Sequence, residues 1–484
     1  MINVRAFGAQ GDGRSDDTRA IQSALYAVPP EGGHVYFPAG VYRISKTSTD
    51  HFLTFKPSTT ISGAGMRSST IQPLDAVGDW VDMLRMSSPH EDPRSLVLAD
   101  IGFDANTVGN PIIASPLTTA RHRNVLTTAG GARPSITVLR CRFHDCSNVN
   151  TLYLAGGTVD VRDCVFTATG ARSRIGWDHS SIYAVARDSG SIRIESNTFQ
   201  GTRGSGGSRT AIETHGGTQA VRDNYVSDYV TGMNITGIAD VNTNAVAVSN
   251  NVVTHAMVPF HLWAGPYGEP EVGRVAFSAV TVESNRATVD NSAWLVTPQV
   301  ANAYSCGILL EINNASHMDD IALLGNTITY LGTNAGTAAR DKWAAAVTLL
   351  GGGTVNRLRI EDNFFTDPPS TGVLLSSIAD QVTIRGNTFV NPANSIVSPM
   401  DPALRSMVTL AGRVRDIVIE RNTAKDSRST AVIRQGVGGL PSLVLSGSSR
   451  FQDNRISCRD GTVVGQASLF VVNKLRGQQP EAPR

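Results

Sequence analysis

Glu213 and His215 stand two residues apart in "SRTAIETHGG", residues 208–217, between small apolar residues and a glycine pair. A carboxylate beside an imidazole can take up a proton and hand it on. The two act together only if they share a face, and residues two apart share a face in a strand, not in a helix. The stretch has no helical periodicity. It reads as a strand with Ile212 and Thr214 turned inward and Glu213 and His215 turned outward. Asp178, in the preceding "RIGWDHSS", is a second carboxylate within reach of the same chemistry. Two carboxyl groups roughly 5 to 9.5 Å apart suit hydrolysis at an acetal carbon. A histidine with Arg209, Asn234 or Tyr183 suits proton abstraction beside a carboxylate, because the arginine or amide offsets the developing charge.

Such a strand needs neighbours, and the sequence repeats. "VLRCRF", "VRDCVF", "IESNTF", "VRDNYV", "VSNNVV", "VESNRA", "LLGNTI", "IEDNFF", "IRGNTF" and "IERNTA" share one pattern. Their fourth residues are Cys141, Cys164, Asn197, Asn224, Asn251, Asn285, Asn326, Asn363, Asn387 and Asn422, and "FQDNRI" adds Asn454. Successive spacings, taken by subtraction, are 23, 33, 27, 27, 34, 41, 37, 24, 35 and 32 residues. Irregular spacing around a constant block describes the coils of a solenoid with loops of different length. Asparagine stacked at a coil corner hydrogen-bonds from rung to rung and tolerates turn conformations, so the ladder is structural. Cys141 and Cys164 occupy the same corner on adjacent coils. Rungs about 4.8 Å apart would allow a bridge, but two buried thiols are the expectation.

A second strand precedes each corner block: "TLYLAGG", "SIYAVA", "AIETHGG", "GMNITG", "FHLWAG", "GILLEINN", "AVTLLGGG", "GVLLSS" and "MVTLAG". One phase carried through them gives an outward column of Tyr153, Tyr183, Glu213 with His215, Asn234 with Thr236, His261 with Trp263, and Leu309 with Glu311. Glu213 and His215 are the only acid–histidine pair it contains. Further on the column fades to Thr348 and Leu350, Val373 and Leu375, then Val408 and Leu410. Aromatic faces stack on sugar rings, while carboxylates, amides and guanidinium groups bind hydroxyls. The substrate-binding candidates are therefore Tyr153, Tyr183, Trp177, His179, Arg209, Asn234, His261, Trp263 and Glu311, with Tyr267 and Glu269 in a loop beside them. Glu213, His215 and Asp178 are the catalytic candidates. Glu311 lies three coils from Glu213, too far for a direct carboxylate pair. No acidic triad suggests a metal, and no cofactor motif appears.

The opening of the chain closes this solenoid. In "DDTRAIQSALYAV", Ile21, Ala24, Leu25 and Val28 fall on one helical face; Ser15 or Asp16 is the expected N-cap, and Pro29-Pro30 ends the helix. "GGHVYFPAGVYRIS" and "ISGAG" follow as strands and turns. The order FGAxGDGxxDDTxAIQxAL, GGxVYFPAGxY, ISGAG, over residues 3–71, closely resembles the N-terminal cap of the pectate-lyase-like superfamily of right-handed parallel β-helices. That superfamily includes polygalacturonase relatives, alginate epimerases and phage tailspike depolymerases. The resemblance implies an all-β, right-handed parallel β-helix with a short capping helix, and the repeat gives it about eleven or twelve coils. It also implies a polysaccharide partner, hydrolase or lyase chemistry, and a homotrimer in a virion tail with tail or adaptor proteins. The aspartate–proline–histidine strand of the epimerases is not present; "ETHG" stands in its place.

The rest of the composition bounds these expectations. The expected domains are 1–75 for the cap and first coils, 76–455 for the β-helix, and 456–484 for a terminal strand and tail. A net charge of +1 without a basic tract argues against nucleic acid as a partner. No apolar run reaches the length of a membrane span, and "MINVRAFGAQGDG" has no signal-peptide core. A tail protein made in the host cytoplasm fits these features, although the β-helix starts within a few residues of Met1, with no anchoring domain before it. A non-catalytic receptor-binding tail protein and a bacterial carbohydrate enzyme are the alternatives.

Overall fold

The structure is a computed structural model. It describes residues 1–78, 80–87, 95–111, 123–128, 134–146, 150–170, 180–204, 207–239, 242–265, 273–290, 305–313, 315–331, 345–392, 406–427, 431–435, 444–458 and 463–464. The fold is all-β, a right-handed parallel β-helix. Thr18–Tyr26 is the one α-helix among the described residues. The chain divides into two compact units, Met1–Ile235 and Thr236–Arg484.

In the first unit the helix covers the start of the sheet. Ile21, Ala24, Leu25 and Val28 are buried as their spacing predicts. Gln22 completes the cover, since its Nε2 donates to the Thr54 carbonyl at 2.7 Å and its Oε1 accepts from the Thr54 amide at 2.9 Å. The glutamine thus stands in for a neighbouring strand and leaves no open backbone edge there. The N-cap is Asp17, not Ser15 or Asp16. Asp12–Asp16 is a strand, and the Asp16 carboxylate serves the Thr18 amide from one position further back. The Asp17 carboxylate instead accepts from the Gln10 and Gly11 amides at 2.7 and 3.0 Å.

Each coil turns at a residue in the left-handed region, followed by the ladder residue. Arg140, Asp163, Ser196 and Asp223 have φ between 49° and 58° and precede Cys141, Cys164, Asn197 and Asn224. The Asn197 amide and Nδ2 both donate to Asn224 Oδ1 at 3.0 Å, and Asn224 Nδ2 donates to the Ile194 carbonyl at 2.9 Å. Cys141 and Cys164 are free thiols in the same ladder, and the Cys141 amide points at Cys164 Sγ at 3.4 Å. Two residues past the corner, Phe103, Phe143, Phe166 and Phe199 pair in register and stack with ring centroids 5.6, 4.9 and 4.5 Å apart. These stacked rings, each buried, form part of the core.

The second unit repeats the device. Asn251, Asn285, Asn326, Asn363, Asn387, Asn422 and Asn454 form a continuous ladder of side-chain bonds, each between 2.9 and 3.0 Å. Its long strands bend once at a left-handed residue, as at Ala245, Ala279, Asp320, Arg357, Gln381 and Asp416. Near the C-terminus Val463–Val464 pairs antiparallel with Ile456 and Ser457.

Candidate functional site

Strand pairing sets the candidate site in the first unit. Tyr153 on Leu152–Arg162 pairs with Tyr183 on Ser180–Glu195, and Tyr183 pairs with Glu213 on Thr210–His215. The column expected from alternation is therefore present on three successive rungs. It continues in the opposite direction through Thr127, Arg85 and Thr54, in register with Tyr153. The column expected from the sequence starts at Tyr153. Carrying the same phase back through "NVLT" and "MLRM" would have found Thr127 and Arg85.

Glu213 and His215 share the outward phase but are not exposed. Their relative exposures are 1% and 2%. His215 Nε2 lies 3.0 Å from Glu213 Oε1, and the Ser180 hydroxyl donates to Glu213 Oε2. Facing a carboxylate, Nε2 is the donor, which leaves Nδ1 as the acceptor of the ring. The His215 ring packs on Tyr183 with centroids 4.6 Å apart, and Tyr183 meets Tyr153 at 5.1 Å. Tyr183 is buried and Tyr153 is partly exposed. Below the same strand, Thr214 donates to Gln219 Oε1 at 2.5 Å, and Gly216 and Gly217 take φ of 71° and 65° at the turn. A side chain at Gly217 would strike the Gly190 carbonyl at 2.3 Å, so the glycine is required by packing. Ser180 carried no signal in the sequence; its contact with Glu213 runs diagonally across rungs.

Asn234, on Thr231–Thr236, is buried, and its Oδ1 accepts no hydrogen bond from the described residues. Arg209, before Thr210, is partly buried, and its carbonyl accepts from the Thr231 amide at 2.7 Å. Trp177, Asp178 and His179 lie outside the described residues, as do Tyr267 and Glu269.

The second unit contains another acid–histidine pair, which corrects the expectation of a single one. His261 pairs with Leu309 and Trp263 with Glu311 across Val258–Ala264 and Ile308–Ile312. The diagonal brings His261 Nε2 to 3.0 Å from Glu311 Oε2. Both are more open than the first pair, at 18% and 30% of side-chain exposure. Burial raises the Glu311 carboxyl, but the hydrogen bond and charge of His261 outweigh it and hold the group below its ordinary value. Further along, Thr348 and Leu350 keep the expected outward phase, in register with Leu309 and Glu311, but from Val373 on the expected phase is wrong by one residue. Val373 and Leu375 pair with the core residues Val347 and Leu349 and with Val408 and Leu410. Thr348, Leu374 and Thr409 take the outward phase. No group of three or more His, Cys, Asp or Glu among the described residues is placed to hold a metal ion.

Residues 1–258 match the model of the family described as rhamnogalacturonase A/epimerase, pectate lyase-like. The chain belongs to this family. The mannuronan C5-epimerase AlgE3 of Azotobacter vinelandii is 41% identical over 108 residues, 22% of this chain and 6% of that protein. The pre-neck appendage protein of Bacillus phage phi29 is 28% identical over 105 residues, 22% of this chain and 11% of that protein. The chain thus spans only a small fraction of the curated relatives it matches. Among solved structures, a mutant tailspike protein of E. coli bacteriophage HK620 with a bound pentasaccharide superposes with a TM-score of 0.62 at 14% identity. The match covers 94% of this chain and 80% of that one. That likeness establishes the fold. The family match ends shortly after the coil of Glu213 and His215, so both residues lie inside it.

Proposed function

We propose that this chain binds and cleaves a polysaccharide, with Glu213 and His215 as the proton-transferring pair and Tyr183 and Tyr153 as the platforms on which sugar rings pack. The observation that carries the reading is the in-register column Tyr153, Tyr183, Glu213, closed by the His215–Glu213 contact at 3.0 Å. Aromatic faces on successive rungs, about 4.8 Å apart, match the repeat of a polymer whose units are each about one sugar long. With Nε2 given to Glu213, His215 Nδ1 is the atom that takes a proton, and Glu213 stabilises the resulting imidazolium. Arg209 and Asn234 are the groups that offset charge developing on the substrate. Asp178 is the second carboxylate if the reaction is hydrolysis. Proton abstraction beside a carboxylate leads instead to elimination or to inversion at that carbon.

The setting we propose is a phage tail, with the chain as a homotrimeric depolymerase attached through other tail proteins. The phage appendage relative and the tailspike fold support that setting. A non-catalytic receptor-binding tail protein is the second reading. It is favoured by one observation, the near-complete burial of Glu213 and His215. Incubation with capsular, neutral and uronate polysaccharides separates these readings. New ultraviolet absorbance from an unsaturated uronate identifies a lyase, and new reducing ends without it identify a hydrolase. Binding with no chemical change in the polymer identifies the receptor-binding protein.

A further inference from the structure

Arg85 occupies the same outward column as Glu213, four rungs away: Arg85, Thr127, Tyr153, Tyr183, Glu213. At about 4.8 Å per rung the separation is roughly 19 Å, the reach of a short oligosaccharide laid along the column. The guanidinium is held rigidly. Its Nε donates to Asp82 Oδ2 at 2.6 Å, and its Nη2 donates to Asp50 Oδ2 at 3.2 Å. Asp82 is 2% exposed and is itself fixed by Asn124 Nδ2 at 2.9 Å and the Thr127 hydroxyl at 2.6 Å. Asp50 also accepts from Ser48 at 3.0 Å and lies 3.0 Å from His51 Nδ1. Arg85 Nη1 has no hydrogen-bond partner among the described residues, and the side chain is 33% exposed. A guanidinium already oriented by two carboxylates loses little entropy on binding a ligand.

We infer that Arg85, set by Asp50 and Asp82, is a distal sugar subsite and that it takes an uncharged residue, a neutral hexose or an acetamido sugar. The inference rests on the proposed polysaccharide function. A carboxylate or sulfate placed on Nη1 meets one guanidinium and the two carboxylates that already engage it. A hydroxyl or acetamide oxygen accepts the same hydrogen bonds without that repulsion. Tyr153, two rungs on, supplies the apolar face that such a residue or its neighbour packs against.

The test uses the full chain and two probe series, neutral or acetamido oligosaccharides (from dextran, galactomannan and chitin) and uronate oligosaccharides (from alginate and polygalacturonate). Binding of disaccharides and hexasaccharides is measured by calorimetry for the wild type, Arg85→Gln and Arg85→Lys, with thermal unfolding as the check on folding. Expected is a ten- to hundredfold loss of hexasaccharide affinity in Arg85→Gln, the worth of a hydrogen bond from a charged donor, with disaccharide affinity unchanged. Arg85→Lys loses nearly as much, because an ammonium cannot replace the fixed fork. Asp50→Asn improves uronate hexasaccharide binding. Three results overturn the inference while leaving the polysaccharide function standing: hexasaccharide affinity unchanged in Arg85→Gln, equal loss for short and long chains, or a wild type that takes uronate hexasaccharides and refuses uncharged ones. A wild type that binds no member of either series removes the proposed function and this subsite with it.

Discussion

Replacing Glu213 by Gln and, separately, by Leu distinguishes a catalytic carboxylate from a buried structural one. Glu213 is 1% exposed and accepts from Ser180 and His215. Leucine fills similar volume but removes the acceptor that the buried Ser180 and His215 both use. At about 1–3 kcal/mol for each orphaned group, offset in part by the apolar burial gained, the net loss is about 2–4 kcal/mol. Glutamine keeps the acceptor for Ser180, and its amide can donate to His215 Nε2 once the ring adopts the other tautomer. Two bonds to a charged group become neutral ones, at a cost of about 1–2 kcal/mol. Turnover behaves differently. A positioned acid–base group is worth about 10²–10⁴ in rate, and in Glu213→Gln the switched tautomer already carries its proton on Nδ1 and the imidazolium has lost its carboxylate. Initial rates on the polysaccharide identified by the panel, with melting curves of the three proteins in parallel, give both quantities. The expected pattern is a hundredfold or greater loss of rate in Glu213→Gln with a melting point near the wild type, and a clearly lower melting point in Glu213→Leu. A wild-type rate in Glu213→Gln refutes the catalytic assignment. So does a rate lost only in step with the melting point, which makes Glu213 a packing residue.

Four further outcomes follow from the fold. Asn326→Ala removes acceptance from the Asn285 amide at 3.1 Å and Nδ2 at 3.0 Å, and donation to Val282 at 2.8 Å and Asn363 at 2.9 Å. At about 1 kcal/mol per bond the loss is about 4 kcal/mol, and a loss below about 1 kcal/mol in denaturant unfolding shows the ladder to be decorative. Phe166→Ala opens the stack between Phe143 and Phe199, at 4.9 and 4.5 Å, and is expected to cost about 3–5 kcal/mol, with Phe166→Leu costing less. Tyr229, buried against Ser181 and Thr169 at 2.9 and 2.8 Å, is pushed up to about 12 by its burial. Its stabilisation is full below the ordinary value of 10.0 and is lost as pH rises towards 12, so Tyr229→Phe should flatten the alkaline fall in melting temperature. Asp50 is lowered from 3.8 to about 2, chiefly by its hydrogen bond with His51. Its contribution is full above pH 3.8 and lost as pH falls to about 2, so Asp50→Asn should reduce the acid loss of stability across that window.

The parts of the molecule that repeat were legible from sequence, and the parts that depend on what lies across a rung were not. The asparagine corner announced itself because one residue type recurs beside one turn conformation, and the positive φ of Asp163, Asp223 and Asp362 shows why Asp, Asn or Gly precedes it at most corners, Arg140, Ser196, Ser284 and Arg421 being the exceptions. The Tyr153, Tyr183, Glu213 register was legible because polar and apolar residues alternate there. In "AVTLLGGG" and "GVLLSS" they do not. Val347, Leu349, Val373 and Leu375 are all at 0% exposure, but Thr348 and Leu374 on the opposite face are at 0% and 1%, so alternation had nothing to report; the phase held at Thr348 and Leu350 and slipped by one from Val373 on. The same limit explains Glu213 and His215. A period of two says which side of a strand faces the core, not whether the other side is covered. The second acid–histidine pair shows a further consequence. His261 is opposite Leu309 and Glu311 is opposite Trp263, so neither ladder position pairs acid with base. The contact forms on the diagonal, where neighbouring strands bring side chains on one face within reach of each other. Candidate proton-transfer pairs in a parallel β-helix therefore have to be sought at positions offset by two residues between rungs. At that offset His261 and Glu311 form a pair more exposed than Glu213 and His215.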